Sequence, residues 1–209
     1  MKILLLGATG RVGGEILLQA LKQGHQVTAL VRNPRKVTLK HPGLTPLTGD
    51  ARDAAKVTAA LAGQDAVISA LGHNSPKASD VQTAATRAIL AAITPRQRFI
   101  SLTGHGVPDP HDVLHPLSGR LLKVIIQLLP GRVFADAVAH EQLLRQSSAN
   151  WVLVRAPRII GGPATRDYHT GYFPIAFSTT VSCADVADFM LKNLTIDDWR
   201  HQAPLIATR

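Results

Sequence analysis

The sequence predicts an α/β fold: a doubly wound, mostly parallel sheet with helices on both faces and a small additional C-terminal region. Three observations carry this expectation. Apolar runs of strand length alternate with stretches of helical periodicity, and the connections between them are short. A glycine-rich turn joins the first apolar run to the first helical stretch. At 209 residues the chain reads as one domain, 1–209, long enough to bury a full core and without an internal repeat or linker.

Each element follows from its own pattern. Ile3–Leu6 is short, continuous and apolar, as a strand buried on both faces must be. Val12, Ile16, Leu17, Ala20 and Leu21 recur at helical spacing, and Gly24 stops that helix. Gln26–Val31 and Leu44–Thr48 predict the second and third strands, and Asp53–Leu61 a helix ended by Gly63. Ala66–Leu71 is a fourth strand, Val81–Ile93 a helix ending before Pro95, and Phe99–Leu102 a fifth strand. Trp151–Arg155 is a sixth, closed by Ala156 and Pro157. Ser182, with Asp185 three residues on, matches a capping box opening a helix over Val186–Leu194. Pro204–Ala207 predicts a final short strand.

Composition narrows the function classes. The single cysteine, Cys183, excludes an internal disulfide framework and fits a reducing compartment. The apolar run after Met1-Lys2 is too short for a signal peptide, and no stretch reaches membrane-spanning length. A cytoplasmic location without membrane association is therefore expected. The net charge of +9 raises the question of nucleic acid. Yet the cations are scattered, and aromatics for base stacking amount to only 4%. No nucleic-acid partner is expected; an anionic cofactor or a basic solvated surface accounts for the charge.

The glycines Gly7, Gly10 and Gly13 in "GATGRVG" sit between a predicted strand and a predicted helix. In that place Gly7 permits a tight turn, Gly10 lets backbone N–H groups approach a pyrophosphate, and Gly13 lets the helix pack close. The helix N-terminus then faces the phosphates. This is the context of a dinucleotide site, with a Rossmann-type fold around it. The second strand selects the cofactor. Where NAD-binding folds place a carboxylate for the ribose 2′-OH, "LVRNPRK" has Arg32. A guanidinium suits a 2′-phosphate, so NADPH is expected over NADH. Arg11 is positioned to close on the same phosphate, whereas Arg35 and Lys36 fit a solvated role equally well.

"GATGRVG", "LVRNPRK", "LTGDARD", "GQDAVISALG", "HEQLLRQSSANWVLVRAPRI" and "VSCADVADFMLKNL" follow the order seen in atypical short-chain dehydrogenases. The chain resembles their NmrA-like, NAD(P)H-binding group, which includes the biliverdin-IXβ/flavin reductases. That resemblance implies that Gly7, Thr9, Gly10, Arg11, Val12 and Gly13 hold the pyrophosphate side. It implies further that Asp50 and Ala51 flank the adenine, and that Ala70, Leu71 and Gly72 line the adenosine ribose and pyrophosphate. Ser101, Leu102 and Thr103 would approach the nicotinamide, and residues 156–183 would form the substrate-side rim, with Tyr168 and Tyr172 as wall or loop-tip residues.

The sequence also departs from the pattern. Short-chain dehydrogenases use Tyr-x-x-x-Lys for acid/base chemistry, and those places fall on Val133 and Ala137. The reductases' active-site Ser falls on Gly104 and their His on Arg158. Alcohol oxidation and tetrapyrrole reduction lose support, while hydride transfer to an electron-poor ring needs mainly positioning and exclusion of water. The expected function is NADPH-dependent reduction of a flavin, quinone or similar conjugated acceptor, with Thr103, His105 and Arg158 as the polar groups on the substrate side. The alternative is a non-catalytic NADP(H) sensor of the NmrA type.

Other features carry two readings each. His105 and His73 lie near the expected site, as donors or as plain loop histidines. His111 and His115 share helical spacing without a third ligand close by, so no metal site is expected. Asp136 and His140 fit a surface pair. The apolar segment "LSGRLLKVIIQLLPG", residues 117–131, suits a homodimer interface, an apolar substrate or core packing alone.

Overall fold

A computed structural model of the chain describes residues 1–72, 80–113, 131–176 and 178–208. Its strands are β1 Lys2–Leu6, β2 Gln26–Val31, β3 Leu44–Thr48, β4 Ala66–Ser69, β5 Arg98–Gly104, β6 Asn150–Ala156, β7 Arg158–Ile160, β8 Tyr168–Gly171, β9 Thr180–Ser182 and β10 Leu205–Thr208. Its helices are α1 Arg11–Lys22, α2 Ala54–Leu61, α3 Val81–Ala92, α4 Arg132–Arg145 and α5 Cys183–Lys192. The main sheet has eight strands in the order β3-β2-β1-β4-β5-β6-β10-β8, all parallel except β8, which runs antiparallel to β10. β7 and β9 pair apart from it as a parallel two-stranded sheet. The doubly wound α/β prediction is met.

Alternation along the strands builds two cores. Ile3 and Leu5 of β1, with Ile100, Leu102, Val152 and Val154, face α1 and α5. Leu4 and Leu6, with Phe99, Trp151 and Leu153, face α2, α3 and Leu144 of α4. Strands clothed on both faces have no polar side to alternate, which is why they read as continuous apolar runs.

Boundaries moved where side chains, not periodicity, decide them. Asp53 caps α2 by accepting from the amides of Ala55 and Lys56. Ser182 caps α5 by accepting from Asp185 N, so that helix starts at Cys183, three residues before its apolar pattern. Sequence periodicity missed β7, β8 and β9, each three or four residues long and too short to carry a pattern. No helix among the described residues is long and apolar enough to cross a membrane. His73, His115 and the apolar segment up to Pro130 lie outside the described residues.

Candidate functional site

Strand order reverses between β1 and β4, and the C-terminal ends of these two strands border a crevice of the kind in which such sheets bind ligands. The glycine turn occupies this point. Gly7 has φ 84°, a left-handed conformation, and a Cβ there would lie 2.6 Å from the Ala70 carbonyl oxygen. At Gly13 a Cβ would lie 2.0 Å from the Gly7 oxygen, so helix and turn touch backbone to backbone. The Gly10 amide donates to Gly7 O at 2.9 Å. Gly10 then caps α1 without a side-chain hydrogen bond, and the first turn holds no acidic residue. The free N–H groups of that turn are accordingly left to an anion. A dinucleotide pyrophosphate fits this cradle.

Ala70, Leu71 and Gly72 continue from β4 across from the turn. Their position is fixed by a residue that sequence reasoning missed. Gln82 of α3 is buried, and its Nε2 donates to Leu71 O at 3.0 Å and Leu102 O at 3.1 Å, tying the ends of β4 and β5 together. Nothing in its surroundings in sequence distinguishes this glutamine from a solvated one.

At the end of β5, Leu102 packs into the α1 side. Ser101 and Thr103 alternate to the other face. The Ser101 hydroxyl lies 3.2 Å from His140 Nε2, whose Nδ1 is 2.6 Å from Thr86 Oγ1. The Thr103 hydroxyl is buried and has no hydrogen-bond partner among the described residues. An orphaned hydroxyl at this strand end is suited to an outside acceptor or donor.

Asp136 and His140 are not a surface pair. Both are buried, at 6% and 1% exposure, because α4 packs against α3 and β5. The Asp136 carboxylate accepts from the amides of Gln82 at 3.0 Å and Thr83 at 2.9 Å, capping α3 from a different helix. Burial drives the His140 pKa down to about 4, with Asp136 opposing weakly. The unfolded chain therefore binds this proton at a higher pH than the folded one. Stability from neutral His140 is complete above about pH 6.5 and is lost as pH falls toward 4, by about 3 kcal/mol in all. Urea unfolding between pH 7.5 and 4 should show this excess loss in the native protein relative to His140→Gln, which cannot titrate. Parallel curves for the two proteins would contradict it.

Beyond β5, the His105 amide donates to Ala156 O at 2.9 Å, and the half-buried ring stands in the field of Arg155. Burial first, and that guanidinium second, hold its pKa below the usual histidine range. Arg155 is fully buried. Its Nε donates to Ala203 O at 2.7 Å and its Nη1 to Val107 O at 2.9 Å, while Asp112 receives Nη1 at 2.9 Å and Nη2 at 2.5 Å. This clamp fixes the loop that carries His105. Sequence analysis missed it, although an arginine inside the apolar "WVLVRAP" was a signal.

Gly104 is exposed, with open space around a Cβ. Arg158 is exposed on β7, and next to it Ile159 O accepts from Arg11 Nη1 at 3.4 Å. Arg11 thus reaches toward β7. The two tyrosines turn their hydroxyls into the framework. Tyr168 donates to Asp188 at 2.5 Å and accepts from Lys192 at 2.9 Å, and burial with Asp188 pushes its pKa up to about 12. Tyr172 accepts from Ala203 N at 3.1 Å, and its ring lies 5.0 Å from that of His111.

At the opposite end of the crevice, Arg32 stands exposed just after β2. Gly49 N donates to Val31 O at 3.0 Å, bringing the end of β3 alongside. Asp50 and buried Ala51 follow, and Arg52 holds the Asp50 carboxylate through Nε at 3.1 Å and Nη2 at 2.7 Å. Hydrogen bonding from Arg52 keeps the Asp50 pKa at about 2, and the charge of Arg32 contributes a lesser share. Val12 is buried in the first turn of α1, and Thr9 is exposed in the glycine turn. Among the described residues, the expected cofactor residues at positions 7–13, Arg32, 50–51, 70–72 and 101–103 lie at or just beyond the C-terminal ends of β1 to β5, and Arg158 lies on β7. Among the described residues no group of three or more His, Cys, Asp or Glu could hold a metal ion.

Comparisons with known proteins follow the same lines. Residues 7–197 match the model of a family described as NAD(P)H-binding. An isoflavone reductase homolog of Zea mays is 39% identical over 80 residues, 34% of this chain and 26% of that protein. The chain spans less than half the length of the curated relatives it matches. Among solved structures, a candidate NADH-flavin reductase from Streptococcus pneumoniae superposes with TM-score 0.80 at 22% identity, covering all of both chains. ChuY, an anaerobilin reductase from Escherichia coli O157:H7, gives 0.75 at 24% identity over 99% of this chain and 96% of that one. These two likenesses show the fold.

Proposed function

Since this chain belongs to the NAD(P)H-binding family, we propose that it is an NADPH-dependent reductase acting on a flavin, quinone or similar conjugated acceptor. The observation that carries the reading is the backbone cradle at Gly7 and Gly13, which leaves no room for a side chain; the Thr103 hydroxyl at the end of β5, without a partner among the described residues, adds to it. When bound, the reduced nicotinamide supplies a hydride. The chain's own residues then bind, orient and exclude water. The turn and α1 hold the pyrophosphate, Gln82 keeps the ends of β4 and β5 at a fixed separation, and Thr103 donates to a carboxamide or acceptor oxygen. His105, kept neutral near pH 7, is a hydrogen-bonding group rather than a cation there. Arg158 is placed to meet an anionic acceptor group. With Val133 and Ala137 in α4, the proton that follows the hydride comes from solvent. The isoflavone, flavin and anaerobilin named for the similar proteins all contain conjugated rings, in keeping with such an acceptor.

Arg32 supports NADPH as the donor. Arg32→Ala should weaken NADPH binding about tenfold, the worth of one charge-assisted hydrogen bond, and leave NADH unchanged. Fluorescence titrations at two salt concentrations measure this, and equal losses for both cofactors would overturn the preference. NADPH oxidation with flavin and quinone panels tests the activity. Tight binding without even a single-turnover hydride step would favour the NADP(H) sensor instead.

A further inference from the structure

The strand ends that carry Arg32 also carry Asp50, a carboxylate close to the cation read as the 2′-phosphate ligand. β2 and β3 are parallel, with Val31 opposite Thr48, so Arg32 emerges beside Gly49 and Asp50. An uncovered carboxylate here would repel a 2′-phosphate and compete with it for the Arg32 guanidinium. Such a charge favours the unphosphorylated ribose, as the acidic residue of NAD-binding folds does. Arg52 lies directly against this carboxylate. It grips both Asp50 oxygens, at 3.1 and 2.7 Å, and its own amide donates to Oδ1 at 2.9 Å. The pair lies at the surface, with side-chain exposures of 48% for Arg52 and 32% for Asp50, next to the solvent from which a cofactor arrives.

We propose that Arg52 is a positioning residue for cofactor choice: by chelating Asp50 it cancels the carboxylate charge and leaves Arg32 free for the 2′-phosphate of NADPH. The proposal rests on the reading of Arg32 as the phosphate ligand. It differs from a merely structural loop clamp in one measurable respect. A clamp would act on NADPH and NADH alike, whereas charge cancellation acts on the phosphorylated cofactor.

Dissociation constants for NADPH and NADH are to be measured by fluorescence titration at low salt. The full-length proteins are native, Arg52→Met, Asp50→Asn/Arg52→Met and Arg32→Ala. Arg52→Met should raise the NADPH constant about three- to fivefold, the range of an exposed charge interaction, and change NADH by less than about twofold. The double variant should restore the native NADPH:NADH ratio, since the charge that needed cancelling is gone. Equal weakening of both cofactors by Arg52→Met would overturn the proposal in favour of the loop clamp. A double variant as poor as Arg52→Met would overturn it in favour of direct contact between Arg52 and phosphate. If Arg32→Ala leaves NADPH affinity intact, the reading of Arg32 falls, and the proposal with it. That failure is separate from one in which Arg32→Ala weakens NADPH and Arg52→Met does not.

Discussion

Gly13→Ala is expected to abolish tight cofactor binding, while Gly14→Ala, one residue further along the same helix, is expected to leave it intact. The difference is one of space. At Gly13 the new methyl would stand 2.0 Å from Gly7 O and 2.6 Å from Gly7 C, both backbone atoms of the turn itself. Neither can move without opening the cradle. At Gly14 the nearest atom is Ala8 O at 3.9 Å, an ordinary contact. Overpacking of this kind costs about 1–3 kcal/mol in stability. The expected loss of affinity, about 100-fold or just under 3 kcal/mol, matches the upper end of that range, because the amides that would meet the pyrophosphate are displaced as a group. Gly14→Ala should gain about 0.5–1 kcal/mol, since alanine is the better helix former. NADPH titration and urea unfolding of the two variants check both halves. Similar affinities for the pair would mean that the turn does not hold the cofactor.

The second large effect concerns stability. Arg155→Met should destabilise the protein by about 3–5 kcal/mol, the usual consequence of removing one partner of a buried ion pair. For a chain of this size that is a fall in Tm of roughly 10 °C. The loss has three parts: an unpaired Asp112, and carbonyl oxygens of Val107 and Ala203 left without their donor. Methionine fills the volume but donates nothing. Adding Asp112→Leu should return part of the stability, because the stranded charge is then removed as well. Calorimetry of the single and double variants tests this, and a single variant within 1 kcal/mol of the native protein, about 3 °C, would contradict it.

What could be read from the sequence were features that depend on periodicity or on one residue's backbone freedom. Ile3–Leu6 and Ala66–Ser69 are apolar because both faces of those strands are covered. Gly7 is glycine because its φ is positive and Ala70 lies against it. What could not be read were contacts between distant segments. Asp136 looked like a surface residue because its partners, the amides of Gln82 and Thr83, lie over fifty residues away. Arg155, Gln82 and His140 hide for the same reason: their side chains satisfy groups from other strands and helices. β7 and β9 pair only with each other, over three residues, and no local pattern announces them.

The cap on α3 has a consequence for how the molecule opens. Asp80, the residue at the start of α3, makes no side-chain capping bond; the carboxylate that serves comes from α4. Thr83 adds a bond from its hydroxyl to Asp136 O. Helix ends usually fray one at a time, from the terminus inward. Here the first turn of α3 cannot come loose while α4 stays docked, so the amides of Gln82 and Thr83 share the exchange rate of α4 rather than that of an ordinary helix end. The two helices therefore behave as one opening unit, and Gln82, which spans the ends of β4 and β5, moves with it. The floor of the crevice keeps its shape as long as that unit stays closed.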